Sequence, residues 1–241
     1  MKPISPFATA ILLAGGAGTR MAGATTDKVL FPIHGKPTLQ YSIEAFAESE
    51  TVDSIVIVYR DDQQRHAIET FVPADKFSNT SWAQGGAERQ DSVWAGLSAT
   101  PADCEVVLIH DGARPMVTPA TIDAVAQSAK ANQVACAAKR TTDTIKQATP
   151  SDNGYILHTL DRSNIWSMET PQAFKFSLIK AAYKTIIANG QSITDDLSAI
   201  EKSGQSVQFI ENPIPNIKIT TPKDIPLAEY LLTLKDQSPT V

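Results

Sequence analysis

The chain has little that would tie it to a membrane, a metal framework or a polyanion. No stretch of its 241 residues approaches the roughly 18 uninterrupted apolar residues of a membrane-crossing helix. Met1 to Thr9 lack the charged start and long apolar run of a secretion signal. Its two cysteines, Cys104 and Cys136, lie in or beside apolar strand-like runs without metal-ligand spacing, so they read as buried free thiols rather than parts of a zinc site or disulfide framework. Basic residues are not in excess: 21 Lys and Arg stand against 26 Asp and Glu, a net charge of -5, which argues against nucleic acid as the main partner. Internal repeats and low-complexity linkers are missing as well. These absences predict a cytoplasmic globular protein able to bury a full core, in which an anionic substrate needs locally placed cations.

Residues 11–28 are the most informative part of the chain. The apolar run Ile11-Leu-Leu-Ala14 leads into Gly15, Gly16 and Gly18, with Arg20 and Lys28 following. Glycine lets a backbone turn through positive φ and press its N–H groups against phosphate oxygens, so the pattern reads as a triphosphate cradle. Arg20 and Lys28 supply positive charge where a phosphoryl centre becomes more negative in the transition state. Two rival motifs are incomplete here. A dinucleotide fingerprint needs a glycine where Met21 stands and an acidic residue about 20 positions on, whereas the next strand reaches its acidic end only at Asp61. A Walker loop needs Gly-Lys-Ser or Gly-Lys-Thr after the glycines, and none follows. The remaining alternative is a glycine-rich turn without a ligand.

Beyond this loop the pattern alternates. Leu39, Ile43 and Phe46 share helical spacing, Ser54–Tyr59 is β-branched, a helix follows from about Asp61, and a short strand falls near Ser81–Ala83. Glu88–Ala99 reads as a helix, Glu105–His110 as a strand, Thr118-Pro119 as a helix start and Val134–Ala138 as a strand. Further on, Phe176–Ala188 and Asp195–Lys202 read as helices, Val207–Ile210 and Ile217–Ile219 as strands, and Thr221-Pro222 as the cap of a final helix. Strands alternating with helix-length segments predict an α/β fold, a mostly parallel twisted sheet flanked by helices, with ligands beyond the carboxyl ends of its strands. Residues 139–164 break the rhythm with a polar stretch that reads as an extended arm, either packing on a second subunit or standing as a surface excursion.

Three further clusters carry chemistry. His110-Asp111-Gly112-Ala113-Arg114-Pro115 puts a carboxylate at the end of an apolar strand, where Mg²⁺ is held by one or two carboxylates and substrate phosphates; the alternative for Asp111 is to cap the turn. Arg114 can fork onto a phosphate. Gly85-Gly86 before Ser92 makes a turn able to read a base edge through its backbone, or a purely structural turn. In the second half, Thr144, Arg162, Thr194 and Lys218 would each pass alone for solvated surface residues. Lys218 stands out because it lies inside the apolar Asn216-Ile-Lys-Ile-Thr220, where a charge must face solvent or meet an anion.

With these segments in view, the chain resembles the methylerythritol phosphate cytidylyltransferases of the non-mevalonate isoprenoid pathway. The resemblance rests on Ala14-Gly-Gly-Ala-Gly-Thr-Arg-Met21, His110-Asp-Gly-Ala-Arg-Pro115, Leu160-Asp-Arg162, Thr170-Pro-Gln-Ala-Phe174, Ile193-Thr-Asp-Asp196 and Asn216-Ile-Lys-Ile-Thr220, and it covers nearly the whole chain. It implies a single Rossmann-like nucleotidyltransferase domain over residues 1–241, with a β-arm at 139–164 that pairs two subunits and completes the partner's site. It further implies that CTP and a polyol phosphate are the substrates and Mg²⁺ the cofactor. Arg20 and Lys28 match the family's catalytic residues and Asp111 its magnesium carboxylate. Ala14, Gly86 and Ser92, with Gly15, Gly16 and Gly18 of the loop, match nucleotide-binding positions. Arg114, Thr144, Arg162, Thr170, Thr194 and Lys218 match those around the sugar phosphate.

Two positions depart from the family pattern. Asp27 stands where proline is usual before the lysine, which predicts a looser entry to Lys28 and a weaker local attraction for triphosphate. Ala87 stands where a polar residue is often found, leaving base recognition to backbone groups. The competing functions are a ribitol phosphate cytidylyltransferase, a sugar-1-phosphate nucleotidyltransferase, a catalytically silent nucleotide-binding regulator and, more distantly, a nicotinamide oxidoreductase.

Overall fold

The computed structural model describes residues 7–16, 18, 21, 27–77, 80–212 and 214–237, so Arg20 lies outside the described residues. Five strands, β1 (Ala8–Leu13), β2 (Pro32–Ile33), β3 (Lys36–Pro37), β4 (Val52–Tyr59) and β5 (Ser81–Gln84), occupy the first third with helices α1 (Thr38–Ala47) and α2 (Asp62–Glu69). Then come α3 (Arg89–Ala99), β6 (Val106–Asp111), α4 (Pro119–Asn132), β7 (Val134–Arg140), the hairpin β8 (Lys146–Ser151) and β9 (Gly154–Thr159), and β10 (Trp166–Lys175). The chain closes through α5 (Phe176–Ala188), β11 (Gln208–Glu211) and α6 (Asp224–Gln237).

The main sheet runs in the order β11-β7-β10-β6-β1-β4-β5. β1 pairs in parallel with β4 and β6, β4 with β5, and β7 with β11; β10 alone runs antiparallel, between β6 and β7. Because both faces are covered, the central strands are apolar on both sides, as parallel sheets require. Ala8, Ala10 and Leu12 of β1 join Leu39, Ile43 and Phe46 of α1 and Ile122 and Val125 of α4 on one face. Ile11 joins Val93 and Leu97 of α3 and Ile179 and Tyr183 of α5 on the other. α3 lies very close to the sheet at Gly96, where an added Cβ would come within 2.5 Å of Ile11 Cγ2 and 3.1 Å of Val58 Cγ2. A smaller cluster of Ile33, Met116, Ile219, Ala228 and Leu232 seats α6 against the β2–β3 turn.

Capping residues set the helix starts where the sequence places them. Asp61 accepts from the Gln64 N–H ahead of α2, and Thr118 accepts from the Thr121 N–H ahead of α4, with Pro119 in the first turn. Glu88 and Asp91 form a reciprocal capping box at α3.

Three expectations are corrected. Residues 195–202 do not form an α-helix but two 3₁₀ turns, Leu197–Ala199 and Glu201–Ser203. Ile217–Ile219 is not a strand: it is an extended segment whose Ile219 N–H donates to the Ala113 carbonyl (2.8 Å), tying it to the loop after β6 rather than to a sheet. The strand β10 has no counterpart in the sequence reading. Its buried Glu169, Thr170 and Gln172 break any apolar alternation and are satisfied by remote partners, among them Asn212, which donates to Glu169. Within residues 139–164 lies the β8–β9 hairpin, every residue of which is exposed. Among the described residues no helix is long and apolar enough to cross a membrane.

Candidate active site

The carboxyl ends of β1, β4, β5 and β6 lie along one edge of the sheet, and a cavity of about 420 Å³ opens there. Ala14, Gly15, Gly16, Lys28, Gly86, Ser92, Asp111 and Lys218 all line it. Residues separated by more than two hundred positions in the chain thus meet in one place. Gly18 adopts φ +60°, a conformation open to glycine at little cost. Gly112, directly after Asp111, leaves no room for a side chain, since a Cβ would sit 2.7 Å from Leu39 Cδ1 and 2.9 Å from the Leu13 carbonyl oxygen.

Asp111 is the electrostatic centre of the cavity. Lys218 Nζ lies 2.8 Å from its Oδ2, Arg114 Nε 3.5 Å from the same oxygen, and Arg89 Nε 3.5 Å from Oδ1. Burial pushes the Asp111 carboxyl up, but Lys218, Arg89 and Arg114 outweigh it and hold the group well below the usual carboxylate range. It is therefore an anion at any working pH. Arg114 donates from Nη1 to the Asn216 carbonyl (2.7 Å), while its buried Nε has no hydrogen-bond partner among the described residues. That nitrogen is closed to solvent beside the Asp111 carboxylate, and Arg114 is not among the residues lining the cavity.

Behind Asp111 runs a chain of hydrogen bonds. The Asp111 N–H donates to Thr170 Oγ1 (3.1 Å), and that hydroxyl lies 3.0 Å from His110 Nδ1; the ring's other nitrogen is 3.3 Å from the Arg114 carbonyl. The pattern is satisfied throughout if Thr170 donates to an unprotonated Nδ1 and Nε2–H donates to Arg114. Burial lowers the His110 pKa to about 4, which keeps the ring neutral. Thr170 thus meets the site through Asp111.

The wall of the cavity at Gly86 and Ser92 is built from turns. Gly85 N–H donates to the Tyr59 carbonyl (2.7 Å) and Gly86 N–H to Ser92 Oγ (3.2 Å), while Ser92 donates onward to the Glu88 carbonyl (3.3 Å). Ser92 therefore shapes the Gly85–Gly86 turn as well as lining the cavity. Gly86 has no space for a Cβ, which would fall 2.3 Å from that of Asp91.

The expected effect of Asp27 is corrected. Its Oδ1 accepts from the Val29 N–H (3.2 Å), and its Oδ2 accepts from Gln64 Nε2 (2.7 Å) and pairs with Arg60 Nη2 (3.2 Å). The same Gln64 amide donates to the Ala14 carbonyl (3.1 Å). One buried glutamine thus holds both ends of the glycine loop, and the Asp27 charge is matched by Arg60 rather than directed at a phosphate. Sequence reading missed Gln64, Arg60 and Arg89. Only the capping position of Gln64 after Asp61 and the basic residue at the end of a strand were there to be noticed.

The other expected residues lie apart. Thr144 and Arg162 belong to the exposed arm, where Arg162 Nη1 donates to the Thr142 carbonyl (2.9 Å). Thr194 lines a separate depression with Gln191 and Ser198, its hydroxyl 3.2 Å from Ser198 Oγ. Among the described residues, no cluster of three or more His, Cys, Asp or Glu side chains is placed to hold a metal. A hard cation here would have only the Asp111 carboxylate, already paired with Lys218, Arg89 and Arg114, together with a ligand's phosphates, and no all-protein cage.

The chain is similar to known proteins over nearly its whole length. The family model described as 2-C-methyl-D-erythritol 4-phosphate cytidylyltransferase matches residues 8–234. A protein of that name from Parasynechococcus marenigrum is 37% identical over 227 residues, covering 94% of this chain and 98% of its own. One from Symbiobacterium thermophilum is 39% identical over 222 residues, covering 92% of this chain and 91% of its own. Among solved structures, a 4-diphosphocytidyl-2C-methyl-D-erythritol synthase from Anaerococcus prevotii superposes with a TM-score of 0.81 at 28% identity, covering 95% of this chain and 96% of that one.

Proposed function

The chain belongs to the 2-C-methyl-D-erythritol 4-phosphate cytidylyltransferase family, and on that footing we propose that it transfers CMP from CTP to 2-C-methyl-D-erythritol 4-phosphate with release of pyrophosphate. The observation that carries this reading is the meeting of the glycine loop, Lys28, Asp111 and Lys218 in one cavity at the carboxyl edge of the sheet.

A phosphate oxygen of the acceptor forms a new bond to the α-phosphorus of CTP as the bond from that phosphorus to the bridging oxygen of pyrophosphate breaks, in line. A phosphate monoester is largely ionised near neutral pH and needs little general-base help, so positioning and charge neutralisation do most of the work. Backbone N–H groups around Gly15, Gly16 and Gly18 receive the triphosphate, and Lys28 and Arg20 offset the charge that builds on the phosphorus oxygens. The Gly85–Gly86 turn and Ser92 face the base. Asp111 and the nucleotide phosphates would together hold Mg²⁺, whose contribution when bound is to neutralise phosphate charge. Arg114 and Lys218 receive the acceptor phosphate.

Thr144 and Arg162 reach a site from the arm of a second copy. A two-stranded ribbon with Tyr155, Ile156 and Leu157 each at least 60% exposed gains apolar burial by packing on a partner, which supports a homodimer formed through residues 139–164 of an otherwise single nucleotidyltransferase domain.

The test is pyrophosphate release by the purified protein with CTP and Mg²⁺, run in parallel with 2-C-methyl-D-erythritol 4-phosphate, ribitol 5-phosphate and a hexose 1-phosphate. Turnover with the first alone supports the proposal. Turnover with another acceptor replaces the acceptor and keeps the mechanism, and CTP binding without turnover on any of them favours a regulatory protein.

A further inference from the structure

The first turn of α3 faces two ways. On one side it closes the nucleotide cavity through the Gly85–Gly86 turn and Ser92. On the other it grips the segment 191–198, which carries Thr194. Gln90 accepts from the Ile193 N–H through Oε1 (3.0 Å) and donates through Nε2 to the Gln191 carbonyl (3.2 Å), so a single side-chain amide pairs with the backbone in both directions. Next to it, Arg89 donates from both terminal nitrogens to Asp196, at 2.9 and 2.7 Å. The Asp196 carboxylate is closed to solvent and takes another hydrogen bond from the Tyr183 hydroxyl at 2.5 Å.

Residues 191–196 have neither helix nor strand to fix their path. Two of their backbone groups, the Ile193 N–H and the Gln191 carbonyl, are paired by Gln90 of α3, and Asp196 anchors their far end through a bidentate arginine, the strongest geometry available to such a pair. Neither Gln90 nor Asp196 lines the nucleotide cavity. These contacts have no counterpart in the roles already assigned, yet they set where Thr194 stands relative to the nucleotide turn.

We propose that Gln90 and Asp196 are positioning residues for the acceptor, holding the segment 191–198 and its Thr194 in register with the nucleotide turn on a single turn of α3. The proposal rests on the reading of Thr194 as an acceptor residue.

Steady-state pyrophosphate release is measured on the full-length protein with CTP and 2-C-methyl-D-erythritol 4-phosphate each varied, for Thr194→Val, Gln90→Leu and Asp196→Asn, alongside thermal unfolding. Gln90→Leu, on a half-buried side chain, should keep the fold and raise the acceptor KM by about tenfold, the equivalent of one to two hydrogen bonds, with the CTP KM within about twofold of the parent. Thr194→Val should act in the same direction. An increase confined to Thr194→Val overturns the positioning proposal alone. An unchanged acceptor KM in both Thr194→Val and Gln90→Leu overturns the acceptor reading of the segment and the proposal with it. A lower melting temperature in Gln90→Leu and Asp196→Asn with both KM values kept marks the contacts as scaffolding only and overturns it as well.

Discussion

Lys218 Nζ rests 2.8 Å from Asp111 Oδ2, a contact between the end of β6 and an extended segment more than a hundred residues further along the chain. The lysine side chain is about a third exposed, at 33%, whereas that of Asp111 is nearly enclosed, at 11%. Ligands entering the cavity therefore meet the ammonium group first. Lys218→Met should raise the acceptor KM by about tenfold or more through loss of a phosphate contact, and should also lower the melting temperature, because the nearly enclosed Asp111 carboxylate loses its closest cation. Kinetics with the acceptor varied, together with a thermal melt, checks both halves.

Lys28→Ala should lower turnover by about 10²–10³, the scale for removing one preorganised donor to developing charge. The same loss is expected for Arg20→Ala. Near-normal kcat in a folded Lys28→Ala protein would remove the lysine from the chemistry.

Arg162→Ala should raise the acceptor KM and leave CTP affinity close to the parent value. If arms serve the neighbouring subunit, the defect is complemented in trans: mixing Arg162→Ala with Lys28→Ala protomers creates dimers with one intact site. At acceptor concentrations far below the raised KM, where both variants alone are inactive, random exchange then restores about a quarter of the parental activity, since half the dimers are mixed and half their sites are whole. Two inactive preparations that stay inactive after exchange would place Arg162 in its own subunit's site or outside any.

Gln64→Leu removes the amide that reaches the Ala14 carbonyl and Asp27 together. Leaving those buried acceptors short of a donor should cost about 1–3 kcal/mol in urea unfolding. It should also weaken CTP binding, since both ends of the glycine loop lose their common anchor. Calorimetric titration with CTP that shows parental affinity would separate the staple from nucleotide binding.

In the absence of nucleotide and metal, stability should fall between pH 6.5 and about 4. Burial lowers the His110 pKa to about 4, so in this window the unfolded chain takes up a proton near 6.5 that the folded chain refuses. The contribution is fully present above the unfolded pKa and is lost as pH drops. Urea midpoints measured at pH 7 and pH 5 should differ less in His110→Gln than in the parent.

The elements legible in the sequence are those whose signals are local. α5 runs over Phe176–Ala188 as its apolar spacing predicts, and Asp61, Glu88 and Thr118 mark the starts of α2, α3 and α4. The glycine loop and Asp111 could be read because a motif and a strand end place them without reference to distant residues. β10 could not, because the polar groups of Glu169, Thr170 and Gln172 acquire their partners from β6, the segment after β11 and the turn at Asp195, none of which is near in sequence. The role of Asp27 is hidden in the sequence for the same reason. Its charge seemed aimed at the triphosphate only while Arg60 and Gln64 were out of view.

At Gly96 α3 contributes no side chain of its own, and the Ile11 and Val58 side chains of the sheet fill that space. Ser92 and Arg89 ride one and two turns away on that helix, so the depth of the nucleotide turn is gauged from the missing carbon at position 96. Inherited variation at such a position would alter the enzyme's pace without touching anything it binds, and a comparison of related enzymes limited to cavity-lining residues would overlook its source.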